Sequence, residues 1–100
     1  MRLIAARTLR QYAGAHPQAR ASLESWGHAV KEAEWSTMND VQSAFSKAKV
    51  LNVDRARFEI AGGDFRLIPA FDFARKIVFV KFIGAHAEYD RADALTVAQF

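Results

Sequence analysis

The residues best suited to proton chemistry are concentrated in one stretch, KFIGAHAEYD, which begins at Lys81. An apolar run there gives way, within five positions, to His86, Glu88, Tyr89 and Asp90. Histidine suits proton transfer near neutral pH because its unperturbed pKa is about 6.5. The stretch is therefore the first place in the chain to look for a reactive site.

Two cations of the C-terminal half, Arg66 and the Lys81 that begins this stretch, interrupt apolar segments. A buried, unpaired charge is costly, so each needs an open face or a partner. Arginine can hold phosphate oxygens bidentately, and lysine supplies a point charge. With His86 and Tyr89 they suit RNA cleavage, in which a 2′-hydroxyl attacks the adjacent phosphate. That reaction needs proton transfer and charge stabilisation but no metal, and the sequence offers no convincing metal site.

Each of these residues also has a simpler structural interpretation. Glu88 and Asp90 are explained more simply as solvated charges, or as partners of nearby arginines such as Arg66 and Arg91. Tyr89 fits equally well as a core aromatic residue whose hydroxyl reaches water. A histidine that follows a strand is usually a surface or capping residue. By the same reasoning His16 is expected at a helix end and His28 on the surface.

The N-terminal half predicts a short strand and three amphipathic helices. MRLIA indicates the strand, and the apolar residues at 9–16 recur every three or four positions, as on one helix face. Pro17 separates this helix from a second, which carries Trp26 and ends near Trp35. Thr-Met-Asn-Asp at 37–40 begins a third helix with the pattern of a capping box. Both tryptophans are expected in the core.

The C-terminal half changes to the alternation typical of β-strands. Strands are predicted at 57–60, 65–73 and 77–83, joined by tight turns, the first at Gly62-Gly63. Strands joined in this way form an antiparallel meander. Pro69 has no amide hydrogen to donate, so it predicts a bulge or an unpaired position in the second strand.

Together these elements predict an α+β fold over a single domain, residues 1–100. Two to three helices are expected on one face of an antiparallel sheet of three to four strands, including the short N-terminal strand. The apolar face of the second meander strand is expected to pack on the helices; it comprises Phe65, Leu67, Phe71 and Phe73. Arg66 lies on the opposite face, which is expected to stay open.

The length of the second meander turn decides whether Arg66 and Lys81 can act together. If the turn after Phe73 has two central residues, Ile68 lies opposite Lys81, and Arg66 lies opposite Ile83. The two cations are then diagonal neighbours on one face. A three-residue turn would place them on opposite faces. The proposed chemistry favours the first register.

Composition indicates the compartment and the kind of partner expected for this protein. The chain has no cysteine, which excludes disulfides, thiolate catalysis and cysteine zinc sites and fits a reducing cytoplasm. No apolar run approaches the roughly 18 residues that span a membrane, and the N-terminus lacks a signal-peptide core. The net charge is +3, and residues 47–91 carry nine basic against six acidic residues. This distribution predicts a C-terminal surface that meets a polyanion.

The same residues resemble a known family, the HigB-type toxins of the RelE-like superfamily of type II toxin–antitoxin systems. The specific matches are F-x-I-x-G at 58–62, F-R-L-I at 65–68 and G-x-H-A-E-Y-D at 84–90. Weaker helical matches are H-P-x-A at 16–19, Leu23 with Trp26, and Trp35-Ser36. The resemblance spans nearly the whole chain and implies the RelE-like, microbial ribonuclease-type fold.

The resemblance also implies an activity and partners. It implies a cytoplasmic, ribosome-dependent mRNA endonuclease that needs no metal or other cofactor. A HigA-like helix-turn-helix antitoxin would inhibit it within a toxin–antitoxin hetero-oligomer. The active residues carried over are Arg66, His86 and Tyr89, with Lys81 as a weaker fourth. Contacts to the RNA backbone or to ribosomal RNA would come from Lys49, Arg55, Arg57, Arg75 and Lys76.

The sequence departs from the family pattern at two positions, and it leaves two alternative functions open. Gly62-Gly63 stands where the family often has Gly-Asn, and both residue types tolerate the positive φ of the turn. Ala85 stands where the family commonly has threonine, which removes a possible hydrogen bond. The alternatives are a catalytically silent domain that binds RNA or the ribosome, and an interaction module that uses its helices. The tail DRADALTVAQF is expected to be ordered near the active face.

Overall fold

Four helices and a five-stranded mixed sheet form an α+β fold in the computed structural model, which describes residues 1–100. The strands are β1 (Arg2–Ile4), β2 (Lys49–Val50), β3 (Ala56–Ile60), β4 (Phe65–Asp72) and β5 (Ile77–Ala85). The helices are α1 (Ala6–Ala15), α2 (Arg20–Glu32), α3 (Met38–Ala44) and α4 (His86–Arg91). Short 3₁₀ turns at Pro17–Ala19 and Ala61–Gly63 precede α2 and β4. No helix has both the length and the apolar character needed to span a membrane.

The predicted meander forms the centre of the sheet, whose strand order is β1-β5-β4-β3-β2. β3, β4 and β5 are antiparallel neighbours, as predicted. Two details of the predicted antiparallel, three- to four-stranded sheet are corrected. β1 runs parallel to β5, with Leu3 paired to Val78, because the helices between them provide the crossover that a parallel pair needs. β2 adds a fifth strand of only two residues, too short to show any alternation.

One face of the sheet packs against the helices as predicted. Phe65, Leu67 and Phe71 of β4 are buried in a core shared with α2, and both tryptophans belong to this core. The predicted capping box begins α3: Thr37 Oγ1 accepts from the Asp40 amide at 3.2 Å, and Asp40 Oδ2 accepts from the Thr37 amide at 3.2 Å. The main cause that lowers the pKa of Asp40 is the hydrogen bond that its carboxylate accepts from the Ser36 amide.

The opposite face of the sheet is covered rather than open. Ile68 and Phe82 are buried there, outside the helical core. The C-terminal segment 92–100 is hydrogen-bonded to Arg55, just before β3, and to β5. Arg55 Nη1 donates to the carbonyls of Ala94 at 3.1 Å and Val97 at 2.8 Å. The Gln99 amide donates to Lys81 O at 2.9 Å, and its side-chain oxygen accepts from the Ile83 amide at 2.9 Å. The expectation of an ordered tail is met.

The register between β4 and β5 changes in the middle of the strands. From Asp72↔Ile77 to Pro69↔Val80 it is the register that a two-residue turn would give. Beyond Pro69 it shifts by one residue, so that Ile68 pairs with Phe82 and Arg66 pairs with Gly84. The predicted pairs Ile68–Lys81 and Arg66–Ile83 are therefore wrong. The bulge predicted from Pro69 is confirmed, and Lys81 is the extra residue on β5.

Gly84 is a place where β5 has no room for a side chain. A Cβ atom there would lie 2.8 Å from Phe82 Cζ and 3.4 Å from Glu88 Cβ. The missing side chain lets the Phe82 ring lie along the strand and lets α4 turn back against it. Gly84 thus determines how α4 approaches Arg66 on the neighbouring strand.

Gly84→Ala is expected to lower the free energy of unfolding by about 1–3 kcal/mol, because the new methyl group collides with a buried ring. Gly14→Ala is the matched control, since a Cβ in that exposed position of α1 meets nothing within 4 Å. It should raise stability by up to about 1 kcal/mol, as alanine is the better helix former. Urea unfolding of both variants tests the pair; equal effects would contradict the steric account.

The N-terminus of α4 carries half of a capping box. Glu88 Oε1 accepts from the amide of the N-cap residue, Ala85, at 3.0 Å. Ala85 has the extended conformation of an N-cap, with φ −67° and ψ 158°, but no hydroxyl to accept from the first turn.

Ala85→Thr is expected to complete this box and to raise the free energy of unfolding by about 1 kcal/mol. Thr37→Ala removes the corresponding hydroxyl from the complete box of α3 and should lower stability by a similar amount, about 1 kcal/mol. Chemical denaturation measures both, and amide hydrogen exchange should show slower exchange in α4 for the first variant alone. Unchanged exchange in α4 would show that the cap does not limit this helix.

Candidate active site

The β3–β4 turn brings Arg66 and His86 to the same end of the sheet. The His86 amide donates to the carbonyl of Asp64 at 3.0 Å, which attaches the start of α4 to the turn. Arg66 Nη1 donates to the carbonyl of Gly63, three positions earlier in the turn. Gly63 has a φ of 104°, and a Cβ there would lie 3.1 Å from Arg66 Nη1, so glycine allows this close approach.

Arg66 lies on the side of the sheet away from the helical core, as predicted, but it is only 8% exposed. Its cross-strand neighbour Glu59 provides the counter-charge, with 4.0 Å between Arg66 Nη2 and Glu59 Oε1. Arg66 Nε is buried and has no hydrogen-bond acceptor. The guanidinium is therefore held in place but incompletely satisfied.

Arg57 joins Arg66 at Glu59, although sequence analysis assigned it only to RNA-backbone contacts. Arg57 Nη2 lies 3.8 Å from Glu59 Oε1, and its Nε is also buried without an acceptor. Its guanidinium carbon lies 5.9 Å from the centre of the Tyr89 ring, within cation–π range. Lys49 pairs directly with Arg57 across β2 and β3 and is exposed beside it.

These contacts leave the arginine pair short of acceptors. One carboxylate serves two guanidinium groups, and both nitrogen–oxygen distances exceed hydrogen-bonding range. A buried donor without an acceptor costs about 1–3 kcal/mol. The pair thus has net positive charge and unused donors, which suits an anion with several oxygen atoms.

Tyr89 of α4 lies against Arg57 of β3 and Phe82 of β5. Its ring packs edge-to-face on Phe82, with 6.3 Å between ring centres. Tyr89 is half-buried and lies outside the helical core, so it is not the ordinary core aromatic residue considered as an alternative.

His86 is exposed and paired with Asp90, a residue that sequence analysis explained more simply as a solvated charge or a partner of an arginine. His86 Nδ1 lies 2.9 Å from Asp90 Oδ2, and the two side chains are 54% and 58% exposed. A carboxylate that holds Nδ1 leaves Nε2 as the nitrogen available to a substrate. The i, i+4 spacing was visible in the sequence, but it indicates a contact only once a helix is known to begin at His86.

Glu88 has a structural role instead. It caps α4 through the Ala85 amide, and neither it nor Asp90 pairs with Arg66 or Arg91. Its charge also adds to burial, the larger cause, in raising the pKa of Tyr12 on α1.

Lys81 and Arg55 do not join this cluster. Lys81 is the bulge residue of β5, with Nζ 5.5 Å from the centre of the Phe79 ring. Lys81 lies three positions before Gly84, the partner of Arg66, which corresponds to roughly 10 Å along a strand. The Arg55 guanidinium is occupied by two carbonyls of the C-terminal segment.

Arg75 and Lys76 lie in the β4–β5 turn, at the end of β4 far from Arg66. Arg75 Nε lies 3.8 Å from Asp72 Oδ2. Lys76 Nζ donates to Trp35 O at 2.7 Å and to Ser36 Oγ at 2.9 Å, which ties this turn to the loop before α3. The other predicted histidine positions agree with the structure, as His16 follows the last residue of α1 and His28 is exposed.

Comparison with known proteins places this site in a family. The HigB_toxin family, described as the RelE-like toxic component of a toxin–antitoxin system, matches residues 19–92, which include every residue of the cluster. An mRNA interferase HigB from Escherichia coli O6:H1 is 29% identical over 98 residues, covering 91% of this chain and 90% of that protein. The chain therefore belongs to the HigB toxin family and is a toxin with an antitoxin partner.

Proposed function

We propose that this toxin is an endoribonuclease that cuts messenger RNA on the ribosome without a metal ion. A 2′-hydroxyl attacks the adjacent phosphate, and the 5′-oxygen leaves. The observation that carries the proposal is the convergence of Arg57, Arg66, Tyr89 and the His86–Asp90 pair at one end of the sheet. The similar E. coli protein bears the name mRNA interferase, which supports the same activity.

The arginine pair is suited to stabilise the extra charge of the phosphoryl group. Arg66 is fixed on a central strand and held by Glu59 and the Gly63 carbonyl, so little reorganisation is needed when charge develops. Arg57 adds a second guanidinium beside it, and both have unpaired Nε donors for phosphate oxygens. Lys49 and Lys81 then act as more distant attractors of the RNA backbone.

His86 and Tyr89 supply the proton-handling groups of α4. Asp90 holds one imidazole nitrogen and leaves the other for the 2′-hydroxyl or the leaving oxygen. The Tyr89 ring lies against Arg57 and Phe82, so this side chain is beside one of the two arginines that would hold the phosphate. Glu88 takes no part in this chemistry because it caps the helix.

Several features support a substrate delivered by the ribosome. The reactive histidine is exposed at the surface, and phosphate contacts carry no sequence information. The cleavage rate at such a site rises most when a partner holds the RNA in the reactive position. We therefore place its action on translating ribosomes in the cytoplasm, with a HigA-like helix-turn-helix antitoxin as the inhibitor.

His86→Ala is expected to lower the rate of ribosome-dependent cleavage by about 10²–10⁴-fold, the usual contribution of a proton-transfer group. It should also relieve growth arrest on induced expression. His28→Ala, on the exposed side of α2, is the matched control and should cleave like the wild type. Mapping of 5′ ends on a translated message measures the rate.

The chemistry of the RNA ends tests the proposed reaction separately. Attack by the 2′-hydroxyl leaves a 2′,3′-cyclic phosphate on the upstream fragment, and a 2′-deoxy ribose at the cut should block cleavage. Upstream fragments that end in a 3′-hydroxyl would contradict the mechanism. Growth arrest and ribosome binding that persist in His86→Ala, without cleavage by the wild type, would instead favour the catalytically silent binding domain.

A further inference from the structure

Glu59 occupies the position where the proposed site must receive a phosphate. Its Oε1 atom lies 3.8 Å from Arg57 Nη2 and 4.0 Å from Arg66 Nη2. No other acidic side chain forms an ion pair with either arginine. The carboxylate is thus the anion that the two guanidinium groups share.

Glu59 is held loosely compared with the groups around it. Neither of its nitrogen–oxygen distances is within hydrogen-bonding range, and its side chain is 35% exposed. The arginine side chains are more deeply placed, at 20% and 9% exposure, and both keep a buried Nε donor without an acceptor. The carboxylate can therefore turn towards water while the two cations stay in place.

We propose that Glu59 is an internal competitor for RNA, an inference that rests on the proposed function. Without RNA, its carboxylate neutralises part of the charge of the arginine pair. An entering phosphodiester takes its place and satisfies donors that a single carboxylate leaves unpaired.

The competitor makes the site selective for RNA that is already held in position. RNA free in solution competes with the carboxylate only at its bulk concentration, so it binds weakly. RNA fixed beside the site by the ribosome has a much higher effective concentration and displaces Glu59 readily. Glu59 would in this way restrict the toxin to the translated message and spare other RNA.

The test compares the full-length wild type with Glu59→Gln in binding to a short single-stranded RNA. All riboses carry 2′-O-methyl groups, so the probe cannot be cut, and fluorescence anisotropy measures affinity across a range of salt concentrations. Glu59→Gln should bind about 3- to 10-fold more tightly at low salt. The slope of log affinity against log salt should become steeper by about 0.7, as for one added phosphate contact.

Glu24→Gln is the matched control. It removes the same charge from a pair with Arg20 at 3.1 Å on α2, in the helical layer. Glu59→Ser is a second test variant that removes the carboxylate and most of its stem. Circular dichroism and thermal unfolding confirm that each variant is folded, and the two Glu59 variants should both exceed Glu24→Gln in affinity.

Either of two outcomes would overturn the inference. If the Glu59 variants bind no better than Glu24→Gln, the carboxylate does not compete with RNA. If they bind less well than the wild type, Glu59 orders the arginines for RNA instead of blocking them. Failure of the nuclease proposal would appear separately, in the ribosomal cleavage assay, because the probe in this experiment is never cut.

Discussion

The shift in register at Pro69 is the constraint on which the site depends. Pro69 cannot donate a ladder hydrogen bond, and β5 accommodates it with one extra residue, Lys81. Beyond that point Arg66 faces Gly84 instead of Ile83. A side chain opposite Arg66 would fill the space that α4 and the Phe82 ring now occupy. The bulge at Pro69 therefore sets which residue of β5 lies opposite Arg66.

The arginine pair shows how the fold tolerates charge on an otherwise apolar sheet. Arg66 is only 8% exposed, on a sheet face where Ile68 and Phe82 are also buried, yet its only ionic partner is an acid shared with Arg57. The hydrogen-bond donors of the two guanidinium groups are therefore only partly satisfied. Buried groups left without partners are expected mainly at functional sites. The cost falls on two neighbouring strands of the sheet, β3 and β4, which hold Arg57 and Arg66 side by side.

The sequence predicted the features that depend on neighbours along the chain and missed those that depend on distant ones. The capping box of α3, the meander and the bulge at Pro69 all follow from local chemistry, and the structure confirms them. The bulge was predicted but not carried into the register, which is why Lys81 was wrongly placed beside Arg66. An ordered tail near the active face was expected, but its cover over the second sheet face was not. Gln99 reaches β5 through the Lys81 carbonyl and the Ile83 amide, and no periodic pattern predicts such contacts.

The motif shared with the HigB toxins can now be divided by physical role. Gly84 and Glu88 build the helix start, one by leaving room for a ring and the other by capping an amide. His86, Tyr89 and Asp90 project from the helix that these two residues position, towards water and towards the arginine pair. Their spacing along the chain follows from a helix that begins directly at the end of a strand, since i and i+4 then share a side. The proton-handling residues directly follow β5 because Gly84 and Ala85, its last two residues, set the direction of the helix that carries them.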